Sequence, residues 1–243
     1  MVAPMLVGTT HVALDATTGN TATETFTYSG SPTAGNTLVL TYGQGVRSLT
    51  PLSPFSYTVP SDWAIITTGW STAQVDGSLY HGASGFIAVR LATGTEASTT
   101  FEISHDAPTG NFGMGRVYEF EANDGVQASM NTNGVVANPS GQRYITASSV
   151  SRTCVTSFVG TNDTGGSFLS DYDAHDFQNL TGFRQTGFKM RTHWLHAVGS
   201  NTPLPQISDP DAGAINKYPW CQMAILLGPT DNRHRRGLGM VRG

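Results

Sequence analysis

The stretch FKMRTHWLHA, residues 188–197, separates cleanly when it is read two residues at a time. Phe188, Met190, Thr192 and Trp194 fall on one side, and Lys189, Arg191 and His193 on the other. A period of two is the signature of a strand with one buried face, as in an antiparallel sheet. The same alternation recurs at 99–104, where Thr99, Phe101 and Ile103 oppose Thr100 and Glu102. Period-2 segments also cover 23–28, 37–42, 63–67, 85–91, 114–120, 143–147, 152–159 and 220–227. No helical periodicity runs over a useful length. The last strand is apolar on both faces (Cys221, Met223, Ile225 and Leu227; Ala224 and Leu226), which predicts an interior place in its sheet.

Composition agrees with an all-β chain. Thr (32), Gly (28) and Ser (21) make up a third of the 243 residues, and only 12% are charged, about half the usual share. Thr favours strands, while Gly, Ser, Asn and Pro supply turns. With 38% apolar residues the chain has enough to build a core.

The two halves read as distant copies. Gly85-Phe86 and Gly187-Phe188 each open a strand that runs into Ala-x-Gly, at 92–94 and 197–199. A further strand then closes each half, GRVYEF in the first and WCQMAILL in the second. These features predict an antiparallel β-sandwich over 1–228, with pseudo-repeated halves of about 1–122 and 123–228.

The charge is uneven. Residues 1–232 hold all 17 acids and 9 of the 13 basic residues, a net −8, whereas Arg233, Arg235, Arg236 and Arg242 stand in an ending without acids. Residues 229–243 are expected to form a basic arm, released by Pro229 and able to reach about 50 Å when extended. Arginine pairs well with carboxylates, so an acidic neighbouring protein is the expected partner. Nucleic acid is disfavoured, because the arginines have no interleaved aromatics.

No basic residue precedes Arg47, and no apolar run is long enough for a signal or a membrane span. The expectation is a protein assembled in the cytoplasm. Cys154 and Cys221 have no metal spacing and sit in apolar strands, so both are expected as buried thiols.

The succession AGNTLVL (34–40), Trp63, GFIAVRLATGTE (85–96) and RVYEF (116–120) resembles a broad group of β-sandwich proteins. They occur among tailed-phage virion proteins and related bacterial surface proteins. The likeness spans about residues 20–228, and the ending RHRRGLGMVRG is similar to short C-terminal arms of phage structural proteins. It implies a jelly-roll-like sandwich in the virion, either a capsid decoration or minor head protein or a tail component. It further implies contacts with other capsid or tail subunits and with copies of itself, and no catalytic residues.

Gly43-Gln44-Gly45 and Gly113-Met114-Gly115 begin a dinucleotide pattern that Ser48 and Tyr118 break, so turns or bulges are expected there. His193 and His196 point to opposite faces of a strand and cannot chelate together. The acidic loop with Asp163, Asp171, Asp173 and Asp176 lacks the calcium offsets of an EF-hand and reads as a solvated loop. Glu119 and Glu121 share a strand face about 6.6 Å apart, the separation of a glycanase pair, but without a matching aromatic cleft. The expectation is therefore no enzyme, no metal and no cofactor. A glycan-binding or host-adhesion module is the alternative, with Trp70 and Tyr80, flanking an expected loop at 71–78, as its ligand contacts.

Overall fold

The computed structural model describes residues 2–18, 22–77, 79–108, 111–134, 144–145, 151–161, 171–173, 178–185, 188–198, 202–204, 206–208 and 219–230. The described residues contain strands and no helix. The first half supplies β1 (Leu6–Thr18), β2 (Thr23–Thr27), β3 (Thr37–Ser48), β4 (Tyr57–Thr58), β5 (Ala64–Asp76), β6 (Leu79–Leu91), β7 (Thr100–His105) and β8 (Asn111–Phe120). The second supplies β9 (Val126–Gly134), β10 (Tyr144–Ile145), β11 (Thr153–Gly160), β12 (Asp171–Asp173), β13 (Gln178–Gln185) and β14 (Phe188–Leu195). It ends with β15 (Thr202–Pro203), β16 (Gln206–Ser208) and β17 (Trp220–Leu227).

Every pairing is antiparallel, and the pairings divide between Phe120 and Val126. In the first half a five-stranded sheet runs β1-β8-β3-β6-β5, beside a smaller sheet β2-β7-β4. In the second, five strands run β9-β17-β11-β14-β13, beside the pairs β10-β15 and β12-β16. One order of pairing is thus used twice. The segments matched by sequence, β6 with β14 and β8 with β17, take equivalent places in the two orders. Strand β17 lies inside its sheet, and all eight of its residues are buried.

The two five-stranded sheets pack face to face. Val39, Ile87, Met114 and Tyr118 from the first meet Val155, Val159, Met190, Met223 and Ile225 from the second in one apolar layer. The alternation at 188–197 is realised here: Phe188, Met190 and Trp194 enter this layer, and Thr192 Oγ1 lies 3.1 Å from Thr41 Oγ1 of the facing sheet. Two further layers lie outside it. Phe26, Leu40, Phe86 and Ile103 fill the space between the first large sheet and β2-β7-β4. Ile145, Cys154, Leu204 and Leu226 form a smaller cluster in the second half. The first large sheet is therefore buried on both faces, which is why Thr37 to Val46 are buried without a break.

The glycine pairs expected at turns or bulges lie within strands. Gly43 and Gly45 sit inside β3, and Gly113 and Gly115 inside β8, in continuous register between these two strands, while the pairing of β8 with β1 shifts register between Gly115 and Gly113, as a bulge there requires. A Cβ on Gly43 would lie 2.6 Å from Val159 Cγ2, and one on Gly113 would meet the carboxyl of Glu24. These positions lack side chains because neighbouring groups come too close to admit one.

Residues 2–5 fasten the halves together. Thr153 Oγ1 donates to the Pro4 carbonyl at 2.6 Å, and the backbone N–H of Glu121 donates to Met5 O at 2.9 Å. His196 Nε2 lies 3.1 Å from Ala3 O, and Thr230 donates its N–H to Val2 O at 2.8 Å. The strand does end before Pro229, yet the chain stays bonded through Thr230, so any arm starts after that residue.

Candidate ligand-binding cleft

Arg90 is the one cation in the apolar run GFIAVRL, near the end of β6 on the face turned away from the second large sheet. There it meets residues that are distant in the chain. Its Nη1 donates to Asp62 Oδ2 at 2.7 Å, and its Nη2 donates to Glu96 Oε1 and to Tyr28 Oη at 3.0 Å each. The guanidinium also stands over two rings, 5.5 Å from the centroid of Tyr28 and 5.3 Å from that of Trp63. A cation over an aromatic face gains about 0.5–2 kcal/mol, more as water is excluded. The side chain of Arg90 is 9% exposed and that of Glu96 3%, whereas Asp62 is 56% exposed.

The turn after β6 is organised around Glu96. Thr93 donates its N–H to Glu96 Oε1 at 2.6 Å, and Thr99 donates both its N–H and its hydroxyl to the Glu96 carbonyl. Burial opposes the charge on Glu96, but the Thr93 hydrogen bonds and the Arg90 charge outweigh it and hold its pKa below the ordinary value. Burial raises the pKa of Tyr28 despite the charge of Arg90, so its hydroxyl stays protonated. Gly94 (φ +84) and Ser98 (φ +62) give the turn its left-handed corners.

Together these residues, with Phe101 and exposed threonines at the rim, line a cleft of about 280 Å³. Arg90 Nε and Glu96 Oε2 are buried and find no hydrogen-bond partner among the described residues. An unpaired buried polar group costs about 1–3 kcal/mol. Both atoms are closed to solvent behind the ion-paired wall of the cleft.

The residues singled out by sequence lie elsewhere. No loop separates Trp70 from Tyr80. Strand β5 continues to Asp76, turns at Gly77 (φ +50), and returns as β6. The hairpin does set both side chains on one face. However, Trp70 pairs with Ser84 and Tyr80 lies four residues along, about 13 Å away. Trp70 is half-buried, packed edge-on to Phe55 at 4.4 Å between centroids and closely over Gly82. It serves as cover for the first half.

Glu119 is buried at the end of β8, accepting from Thr33 N–H at 2.8 Å and Asn36 Nδ2 at 2.5 Å. Glu121 lies beyond the strand and accepts from Met5 N–H at 3.3 Å. One carboxylate thus anchors the loop before β3 and the other the N-terminal segment. His193 is buried, and burial with the nearby Arg191 charge pushes its pKa down to about 3. Cys154 and Cys221 are buried free thiols with raised pKa values. Among the described residues no cluster of His, Cys, Asp or Glu is placed to hold a metal.

Asp171 and Asp173 lie on β12, which pairs with β16, so the expected loop contains strands. Their side chains, together with Asp163, Asp176 and the arm residues Arg233, Arg235, Arg236 and Arg242, lie outside the described residues.

Comparison with family models, curated proteins and solved structures gives no match.

Proposed function

We propose that this chain is a structural protein of a tailed-phage particle, acting through contacts with neighbouring subunits. The observation that carries the proposal is the doubled strand order. The first half runs β1-β8-β3-β6-β5 beside β2-β7-β4, and the second repeats the five-stranded order as β9-β17-β11-β14-β13, which supports a jelly-roll-like reading of the two halves, a fold used for capsid and lectin domains. Two such units pressed together make a rigid block with buried central strands. The carboxylates of Glu119 and Glu96 are engaged in holding loops, which suits a structural role. The sequence resemblance and the basic ending support the same reading, with the arm after Thr230 as a tether to an acidic surface.

The test is to purify particles, locate this chain by mass spectrometry and cryo-electron microscopy, and repeat with residues 231–243 deleted. The chain is expected at fixed stoichiometry, and the truncated form is expected to fold normally but to be lost from particles. Absence of the intact chain from particles would overturn the structural role. Unchanged incorporation after truncation would overturn the arm.

A further inference from the structure

We propose that the Arg90 cleft in the first half binds a neutral, polyhydroxylated ligand the size of one sugar ring. Its charge selects against ions. Arg90 contributes one positive charge and Asp62 and Glu96 two negative ones, all within one hydrogen-bonded group. An anion entering the cleft meets the carboxylates, and a cation meets the guanidinium. A neutral hydroxyl meets neither obstacle, and it donates and accepts at once. It can bond with the exposed carboxylate of Asp62 and with the rim hydroxyls of Thr95 and Thr100, the polar groups that the cleft leaves open to solvent.

Shape and composition narrow the class further. Tyr28, Trp63 and Phe101 give the cleft apolar surface that suits the C–H groups of a pyranose ring. A volume of about 280 Å³ stands at the small end of ligand sites, roughly 300–1,000 Å³, so one ring fits and a folded chain does not. The walls are already set. Arg90 is held by three side chains, and the rim turn is fixed by Thr93 and Thr99 on Glu96. Preorganisation of this kind lowers the ordering cost of binding. None of this depends on the particle role, since a decoration protein or an adhesin would use the site alike.

The experiment is saturation-transfer NMR on the full chain with millimolar D-glucose, D-galactose, L-rhamnose and N-acetyl-D-glucosamine, and isothermal titration with sodium sulfate as the anionic probe. Transfer to at least one sugar is expected, with no sulfate binding. Thr95→Trp places a bulky ring at an exposed rim position and is expected to weaken sugar binding at least about tenfold. Thr100→Tyr, at a second exposed rim position, repeats the test should the first variant misfold. No transfer to any of the four sugars, sulfate binding in place of them, or sugar binding undiminished in the folded rim variant would each overturn the proposal.

Discussion

The guanidinium of Arg90 meets the carboxylate of Glu96 at 3.0 Å across the turn that closes β6, with both side chains withdrawn from solvent. They lie six positions apart in sequence, yet the pair organises segments from β2 to β7. Removing one member of a buried pair strands the other, at a cost of about 3–5 kcal/mol when burial is complete. Here Asp62 still shares the guanidinium, so Glu96→Ala is expected to cost about 2–3 kcal/mol in urea unfolding.

The same carboxylate gives a pH signature. Its folded pKa lies below the ordinary value of 4.5, so its stabilisation is complete above that value and is lost as pH falls through the folded one. Glu96→Gln is therefore expected to be less stable than the parent at neutral pH. The difference should shrink only below about pH 4.5. A difference that is constant down to acid pH would remove the ionised carboxylate from the account.

His193 titrates across a higher window. Burial, aided by Arg191, lowers its pKa to about 3, against 6.5 for the exposed group. The native state thus binds fewer protons, and stability is full above about pH 6.5 and declines as pH falls toward 3. The loss is on the order of 3–5 kcal/mol for this one residue. His105, buried beside Gln44, is shifted down by burial despite Asp106 and acts in the same direction. Thermal melts at about pH 7.5 and 5 should show His193→Gln losing less stability than the parent, with His105→Gln giving an additive part of the remainder.

How much of this was legible in sequence depended on where each strand sits. Interior strands such as β3, β11 and β17 need apolar residues, and these produced readable runs. Strands β1, β9 and β13 are edge strands paired on one side; β9 and β13 have few apolar positions, and the apolar residues of β1 do not alternate. In β9, exposed and half-buried residues alternate with none fully buried. Strand β5 was read only as far as Thr67, since Gly69, Ser71, Thr72 and Gln74 look like a loop. Small side chains are required there, because a Cβ on Gly69 would lie 2.8 Å from Cys221 Cβ. The cleft was hidden for another reason. Arg90 reads as an outward polar position and Glu96 as a turn acid, and only folding brings Asp62 and Trp63 beside them. A lone arginine inside an apolar strand was the available signal.

Trp70 provides a direct contrast with the cleft. Its ring lies on Phe55 and over Gly82 and is half-buried, so Trp70→Ala removes packing and is expected to cost about 2–3 kcal/mol. Sugar binding at the Arg90 cleft should be unchanged in this variant. Saturation transfer that disappears with Trp70, in a protein still folded by circular dichroism, would move the site to the β5–β6 hairpin.

Gly43 tests the face-to-face packing of the two large sheets. A Cβ there would stand 2.6 Å from Val159 Cγ2 and 3.0 Å from Met190 Sδ, both on the opposing sheet. The backbone itself is an ordinary strand, so Gly43→Ala would relieve a small entropic cost if the position faced open space. Against the second sheet it must instead push two packed side chains aside, an overpacking cost of about 1–3 kcal/mol, and Gly43→Val should cost more. The measurement is the urea midpoint at unchanged slope, which reports stability rather than a change in the exposed surface. A second change, Val159→Ala, opens space at the same point. The pair should couple, with the double variant less destabilised than the sum of the single ones. Additive effects would mean that the two sheets do not meet at Gly43 in solution.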